Sequence, residues 1–275
     1  MSFEVAFAPF ADGLDHPEGV AWGPDGNVYA GGEAGQVYRV TLAGEVTEIG
    51  GTGGFLLGLC LDADANVYAC DTVHRAVMVV RPDGSASRYA GGEMVNPNWP
   101  VFAADGTLYV SDSGVWGADD GCIWIVPPGG PATVLRDDVR AFPNGMALAA
   151  GGDWLYCVET HARRVVRVPV AGGPVEEVVR LPDRTVPDGL AFDAGGGLLI
   201  SCYAPDVVYR LDGGGQLAVV AEDWQRLTLA APTNVAFCGD DLATLVAASL
   251  GRWHLSSGRA PVPGAPLNYP KAVEA

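Results

Sequence analysis

One short pattern recurs six times along this chain, and no other feature limits the fold so tightly. The first copy reads Pro17-Glu18-Gly19-Val20-Ala21-Trp22, the second Leu56-Leu57-Gly58-Leu59-Cys60-Leu61 and the third Asn98-Trp99-Pro100-Val101-Phe102. The fourth, fifth and sixth open as Pro143-Asn144-Gly145-Met146, Pro187-Asp188-Gly189-Leu190 and Pro232-Thr233-Asn234-Val235. Anchored on Val20, Leu59, Val101, Met146, Leu190 and Val235, the copies lie 39, 42, 45, 44 and 45 residues apart. That period is the size of one four-stranded blade, and six such units close into a ring. The predicted fold is therefore all-β: a six-bladed β-propeller with four-stranded antiparallel blades, one domain over residues 1–275.

Within a unit the strands are short and the turns tight. In the first, Val20–Trp22, Asn27–Gly31, Gln36–Leu42 and Glu45–Ile49 read as strands joined by Pro24-Asp25-Gly26 and Ala43-Gly44. The sixth unit lacks an outer strand after Trp253–Leu255, and the apolar segment Phe3–Phe10 has no unit of its own. The N-terminal segment is expected to supply that strand, closing the ring and covering an edge.

The balance of 16 Lys and Arg against 33 Asp and Glu gives a formal charge of −17. So acidic a surface makes nucleic acid and anionic membrane poor partners. The N-terminus shows no basic, apolar leader, and no run of about 18 apolar residues exists to span a bilayer. Cys60, Cys70, Cys122, Cys157, Cys202 and Cys238 form no CxxC pair, which suits reduced thiols in the cytoplasm. A monomer or weak homodimer is expected.

In a propeller the first strand of each blade runs beside the central axis, so equivalent positions before it form a ring. Two residues before each anchor stand Glu18, Leu57, Trp99, Asn144, Asp188 and Thr233. Oxygens from Glu18, Asn144 and Asp188 converging on the axis call for a hard divalent cation between them. The same residues also read as turn formers, Glu18 being the exception, and the pattern alone leaves both open.

The phrases at 17–20, 143–146 and 187–190, with Glu159-Thr160-His161-Ala162-Arg163-Arg164-Val165 and Pro232-Thr233-Asn234-Val235-Ala236-Phe237, resemble the SMP-30/gluconolactonase/LRE family of metal-dependent lactonases. The resemblance implies Glu18, Asn144 and Asp188 as ligands of one divalent ion (Ca, Mg, Mn, Zn or Fe) and Asp188 as general base. It implies a small cyclic ester, a sugar lactone, as substrate. The third unit departs from the family pattern Arg-Pro-Asn-Asp, whose Arg and Asn contact substrate. Asn98 keeps the family Asn, while Asn96 and Trp99 replace the Arg and Asp, pointing to a different or less polar substrate. His16, two residues before Glu18, is a further candidate for the pocket wall, as are Trp116 and Phe142 with Trp99. Asp71, Asp112 and Glu159 share an equivalent place and either rim the pocket or bind turn amides; Asp71 reads as the second.

Asp62-Ala63-Asp64-Ala65-Asn66 imitates a calcium loop but lacks its Gly and its closing Glu. Gly51-Thr52-Gly53-Gly54 has no Lys-Ser/Thr to make a phosphate loop, and no GxSxG is present. Competing readings are an organophosphate-type ester hydrolase with the same ion, a metal-free strictosidine-synthase-like propeller using one Glu, and a non-catalytic binding ring.

Overall fold

A computed structural model describes residues 3–271; residues 1–2 and 272–275, the two ends of the span read as one domain, lie outside the described residues. Along the chain come β1 (Ala8–Asp12) and then blade one, β2 (Val20–Trp22), β3 (Val28–Gly31), β4 (Gln36–Val40) and β5 (Val46–Gly51). Blade two is β6 (Leu56–Leu61), β7 (Val67–Asp71), β8 (Ala76–Val80) and β9 (Ala86–Ala90). Blade three is β10 (Pro97–Phe102), β11 (Leu108–Asp112), β12 (Cys122–Val126) and β13 (Thr133–Arg136). Blade four is β14 (Pro143–Leu148), β15 (Trp154–Glu159), β16 (Arg164–Pro169) and β17 (Glu176–Arg180). Blade five is β18 (Val186–Phe192), β19 (Leu198–Ala204), β20 (Val207–Leu211) and β21 (Leu217–Glu222). Blade six is β22 (Val235–Cys238), β23 (Thr244–Ala247) and β24 (His254–Arg259), completed on its outer edge by β1.

The six four-stranded antiparallel sheets and the ring closure are those the sequence pattern predicts. Ala8 pairs with Ser257 and Asp12 with His254, so the first strand of the chain seals the last blade. Strands buried on both faces, such as Val67–Asp71 and Ala76–Val80, read as continuous apolar runs because each sheet is sandwiched between two others. Six apolar clusters result, one at each contact between neighbouring blades. Tyr29 and Val37 of blade one, for example, meet Leu56, Leu59 and Val67 of blade two. Met146 and Leu155 of blade four meet Ile123 and Tyr109 of blade three.

All six cysteines are free thiols. Among the described residues no helix is long and apolar enough to cross a membrane. Asp62-Ala63-Asp64-Ala65-Asn66 is a turn: the Asp62 carboxylate accepts the amides of Asp64 and Asn66 at 3.0 and 2.9 Å.

Strand register corrects the third repeat. In blades two and four, four residues of the first strand face three of the second: Leu56 to Leu59 against Asp71 to Ala69, and Pro143 to Met146 against Glu159 to Cys157. In blade three the equivalent span is Pro97 to Pro100 against Asp112 to Val110. The anchor is thus Pro100 and not Val101, and the axial place belongs to Asn98 and not Trp99. A bulge in the first strands of blades two to five makes the frame easy to misplace by one.

After β24 the chain does not stop at the blade. It crosses the end of the ring opposite the axial polar residues. The Gly264 amide donates to the Leu242 carbonyl at 2.8 Å and the Ala265 amide to the Phe192 carbonyl at 2.9 Å. Asn268 Nδ2 donates to the Phe102 carbonyl at 3.0 Å, Tyr269 Oη to the Trp22 carbonyl at 2.7 Å, and the Ala63 amide to the Pro270 carbonyl at 2.8 Å. This strap ties blades one, two, three, five and six together. Above it lies an apolar axial channel of about 140 Å³, walled by first-strand residues such as Val20, Leu59, Met146 and Leu190 and floored by Ala265 to Tyr269.

Candidate metal centre

With the register set by strand pairing, the axial ring reads Glu18, Leu57, Asn98, Asn144, Asp188 and Thr233. Five of six members carry side-chain oxygen. Most of the residues that follow them are glycine for a steric reason. A Cβ at Gly145 would lie 2.5 Å from Gly189 Cα, and one at Gly189 would lie 2.7 Å from the Thr233 carbonyl oxygen. Only glycine lets neighbouring blades crowd closely enough to bring the preceding side chains onto one axis.

Hydroxyl groups from the second strands hold this ring in place. Ser113 Oγ donates to the Pro143 carbonyl at 2.7 Å and Thr160 Oγ1 to the Pro187 carbonyl at 2.8 Å. One turn lower, Ser111 Oγ donates to the Asn144 carbonyl and Ser201 Oγ to the Thr233 carbonyl, each at 2.7 Å. Thr233 Oγ1 completes the circuit by donating to the Glu18 carbonyl at 2.6 Å. Because Ser113 and Thr160 spend their protons on carbonyls, their oxygens accept the side-chain amides of Asn98 at 3.0 Å and Asn144 at 3.2 Å. Each amide is thereby oriented, with its Oδ1 turned away from the hydroxyl.

Asp112 and Glu159 bind turn amides, as Asp71 does. Asp112 accepts the amides of Val95 and Asn96 at 2.7 Å and the Trp124 indole at 3.1 Å. Glu159 accepts the amides of Arg140 and Ala141 at 3.0 Å and pairs with Arg164. They fix the loops that lead into Asn98 and Asn144.

The donor set fits a hard cation. Among the described residues, the buried side-chain atoms without a hydrogen-bond partner are Glu18 Oε2, Asn144 Oδ1 and Asn234 Oδ1. Two belong to axial residues, and the third follows Thr233 on the same strand opening. Orphaned buried oxygens are costly and rare unless something electropositive meets them. Burial pushes the Glu18 carboxyl well up, and the negative charges of Asp188 and Glu33 add to that. Burial also pushes Asp188 up, to about 8, against the opposing hydrogen bond from Asn144. Two carboxyls raised by burial, with negative neighbours and lone amide oxygens beside them, are matched by a divalent ion with oxygen preference.

By strand register, then, Glu18, Asn144 and Asp188 share one level of the axial ring, with Asn98 at the place one blade before Asn144. Trp99 is placed elsewhere: its indole packs over Gly58, where a Cβ would lie 2.7 Å from Trp99 Cδ2, and it walls the axial channel below the ring. Asn96 sits on the loop before β10, where its carbonyl accepts the Ser113 amide at 2.9 Å. His16 stands at the rim of blade one, Nδ1 3.1 Å from Asp15 and 3.5 Å from Glu33, edge-on to Trp253. Asp15, His16 and Glu33 present ligand atoms within 4.8 Å of one another.

The profile of the SMP-30/gluconolactonase/LRE-like region matches residues 89–251, more than half of the chain. The protein belongs to the SMP-30/gluconolactonase/LRE-like family. A strictosidine-synthase-like N-terminal profile also matches, over residues 10–40 only. Among solved structures, this family member is similar to a gluconolactonase from Xanthomonas campestris, 23% identical, with 94% of this chain and 90% of that one covered and a TM-score of 0.79. It is similar to regucalcin from Agrobacterium tumefaciens, a calcium-binding protein, 18% identical over 99% of each chain, TM-score 0.81. A luciferin-regenerating enzyme is 14% identical over 97% of this chain and 99% of that one, TM-score 0.80. At these identities the structural likeness establishes the fold. None of the curated proteins matches the chain.

Proposed function

We propose that this family member is a divalent-metal-dependent hydrolase that opens a small lactone to its hydroxy acid. The observation that carries the reading is the pair of unpartnered buried oxygens, Glu18 Oε2 and Asn144 Oδ1, on the same axial ring as Asp188. Family membership and the names borne by the solved relatives, a gluconolactonase and a calcium-binding protein, support it. Free cysteines suit a reducing compartment such as the cytoplasm.

When bound, a divalent ion supplies a Lewis-acid contact for the ester carbonyl and stabilises charge developing on its oxygen. Glu18, Asn144 and Asp188 are the residues to hold it. Asp188 orients a water toward the carbonyl carbon and accepts its proton as oxygen attacks. The C–O bond of the ring then breaks, and the proton passes to the departing alkoxide. A carboxylate engaged on a cation is a weak base, so Asp188 acts chiefly by position. Asn98, its amide nitrogen turned to Ser113, leaves Oδ1 to accept a hydrogen bond from a substrate hydroxyl or a water.

The short strictosidine-synthase-like match favours a second reading, in which Glu18 works alone without metal. That chemistry has no use for an unpartnered Asn144 oxygen or a second buried carboxyl. Elemental analysis and a lactone panel, run with and without chelator and with added Mg²⁺, Mn²⁺, Ca²⁺, Zn²⁺ or Fe²⁺, separate the two; phosphotriesters in the same panel test the organophosphate alternative. We expect one ion per chain, activity abolished by chelator, and a loss of at least about 100-fold in kcat/KM for Asp188→Asn. Full activity in chelator, or Asp188→Asn within a few-fold of wild type, refutes the mechanism.

A further inference from the structure

Beside the axial ring, blades three and four build a cluster of three aromatic rings that no step above uses. Trp116 lies 4.8 Å from Phe142 and 4.7 Å from His161, nearly perpendicular to both at 78° and 83°. Phe142 and His161 are 4.9 Å apart and tilted by 37°. The backbone ties this cluster to Asn144. Phe142 is two residues before it, and His161 follows Thr160, whose hydroxyl oxygen accepts the Asn144 amide at 3.2 Å. The Thr160 and His161 amides donate to the Phe142 and Ala141 carbonyls at 3.1 Å, locking the two loops together.

Trp116 does not cover its own surface: it is 69% exposed, and Val115 beside it is 55% exposed. Its loop is nonetheless held firmly. The Val115 amide donates to Asp120 Oδ1 and the Ala118 amide to the Val115 carbonyl, both at 2.9 Å, and Arg140 Nε donates to the Asp119 carbonyl at 2.5 Å. A rigid aromatic wall kept in water beside a chemical site is a surface shaped for a ligand group, because loop ordering is already complete before binding. The exposed face it offers is a flat indole.

We infer that the Trp116–Phe142–His161 cluster is a subsite for an aromatic substituent on the substrate, so that the preferred lactones carry a flat apolar group next to the ester ring. The inference rests on the lactonase reading for its chemistry but not for its binding. Two measurements keep them apart. The first is kcat/KM for γ-phenyl-γ-butyrolactone and for unsubstituted γ-butyrolactone in wild type, Trp116→Ala, Trp116→Phe and Trp224→Ala, the last altering an exposed indole on the connection between blades five and six, outside the cluster. The phenyl-to-unsubstituted ratio should fall at least tenfold in Trp116→Ala, recover in Trp116→Phe and hold in Trp224→Ala. A ratio unmoved by Trp116→Ala overturns the subsite and leaves the lactonase reading standing. The second is saturation-transfer NMR of the phenyl lactone on chelator-treated protein. A phenyl signal seen with wild type and abolished by Trp116→Ala supports the subsite even if no lactone is hydrolysed, an outcome that would remove the lactonase reading alone. No phenyl signal with wild type overturns the subsite.

Discussion

Asn144 has one amide, and Thr160 settles which way it points. The hydroxyl hydrogen is already given to the Pro187 carbonyl, so Thr160 Oγ1 accepts only, and the Asn144 nitrogen must face it. Replacing Thr160 by Val removes that preference while keeping the volume. Ion affinity measured by titration calorimetry should fall about 10–100-fold in Thr160→Val and be largely restored in Thr160→Ser. Equal affinity in all three proteins would make Thr160 merely a packing residue. Asn98 and Ser113 repeat the arrangement one blade earlier. None of these hydroxyls stands out in the sequence, because a Ser or Thr at a strand end is common and its partner is a backbone carbonyl some 30 residues away.

Connections between blades carry their own electrostatics. Asp223, at the start of the loop from β21 to β22, accepts the Thr228 amide at 2.7 Å, its hydroxyl at 2.9 Å and the Leu227 amide at 2.9 Å. Burial acts to raise this carboxyl, but the Thr228 amide and hydroxyl and the amides of Leu229 and Leu227 outweigh it and hold it well below the usual range. A carboxyl lowered in the folded state stabilises above its unfolded value near 4, and that stabilisation is lost as pH falls through the folded value. Asp223→Ala should cost about 1–2 kcal/mol at pH 7 in urea unfolding, with the gap narrowing below about pH 4. A gap independent of pH would show that the hydrogen bonds do not depend on the charge. At this scale the sequence is mostly legible: four strands per unit, the turns, and Glu18, Asn144 and Asp188 at one level all follow from the repeat. Blade three reads one residue out of frame because Trp99 fills the place that glycine holds in most other blades, hiding a bulge that only strand pairing reveals. The carboxylates Asp112 and Glu159 are ambiguous for a related reason: whether a strand-end acid meets amides or a pocket depends on the loop opposite, which has no fixed pattern.

Closure of the whole ring rests on chain ends that are far apart in sequence. Residues of β1 pair with β24, and Val5 enters the apolar cluster between blades five and six while its amide donates to the Val220 carbonyl at 3.0 Å. Deleting residues 1–12 should lower the melting temperature by about 10 °C or more, because an open sixth blade exposes a sheet edge and loosens both of its neighbours. An unchanged melting temperature would show that the ring closes without it. That contribution can be read from the sequence by counting strands. The C-terminal strap cannot, since residues 263–271 show neither alternation nor repeat and act through scattered bonds to five blades. Its presence lays Ala265 to Tyr269 across the end of the axial channel away from Glu18, Asn144 and Asp188. On the proposed lactonase reading, ester would enter and hydroxy acid leave from the side of the axial ring, past the aromatic cluster, so that product exit there, and not bond cleavage, would be the step to time.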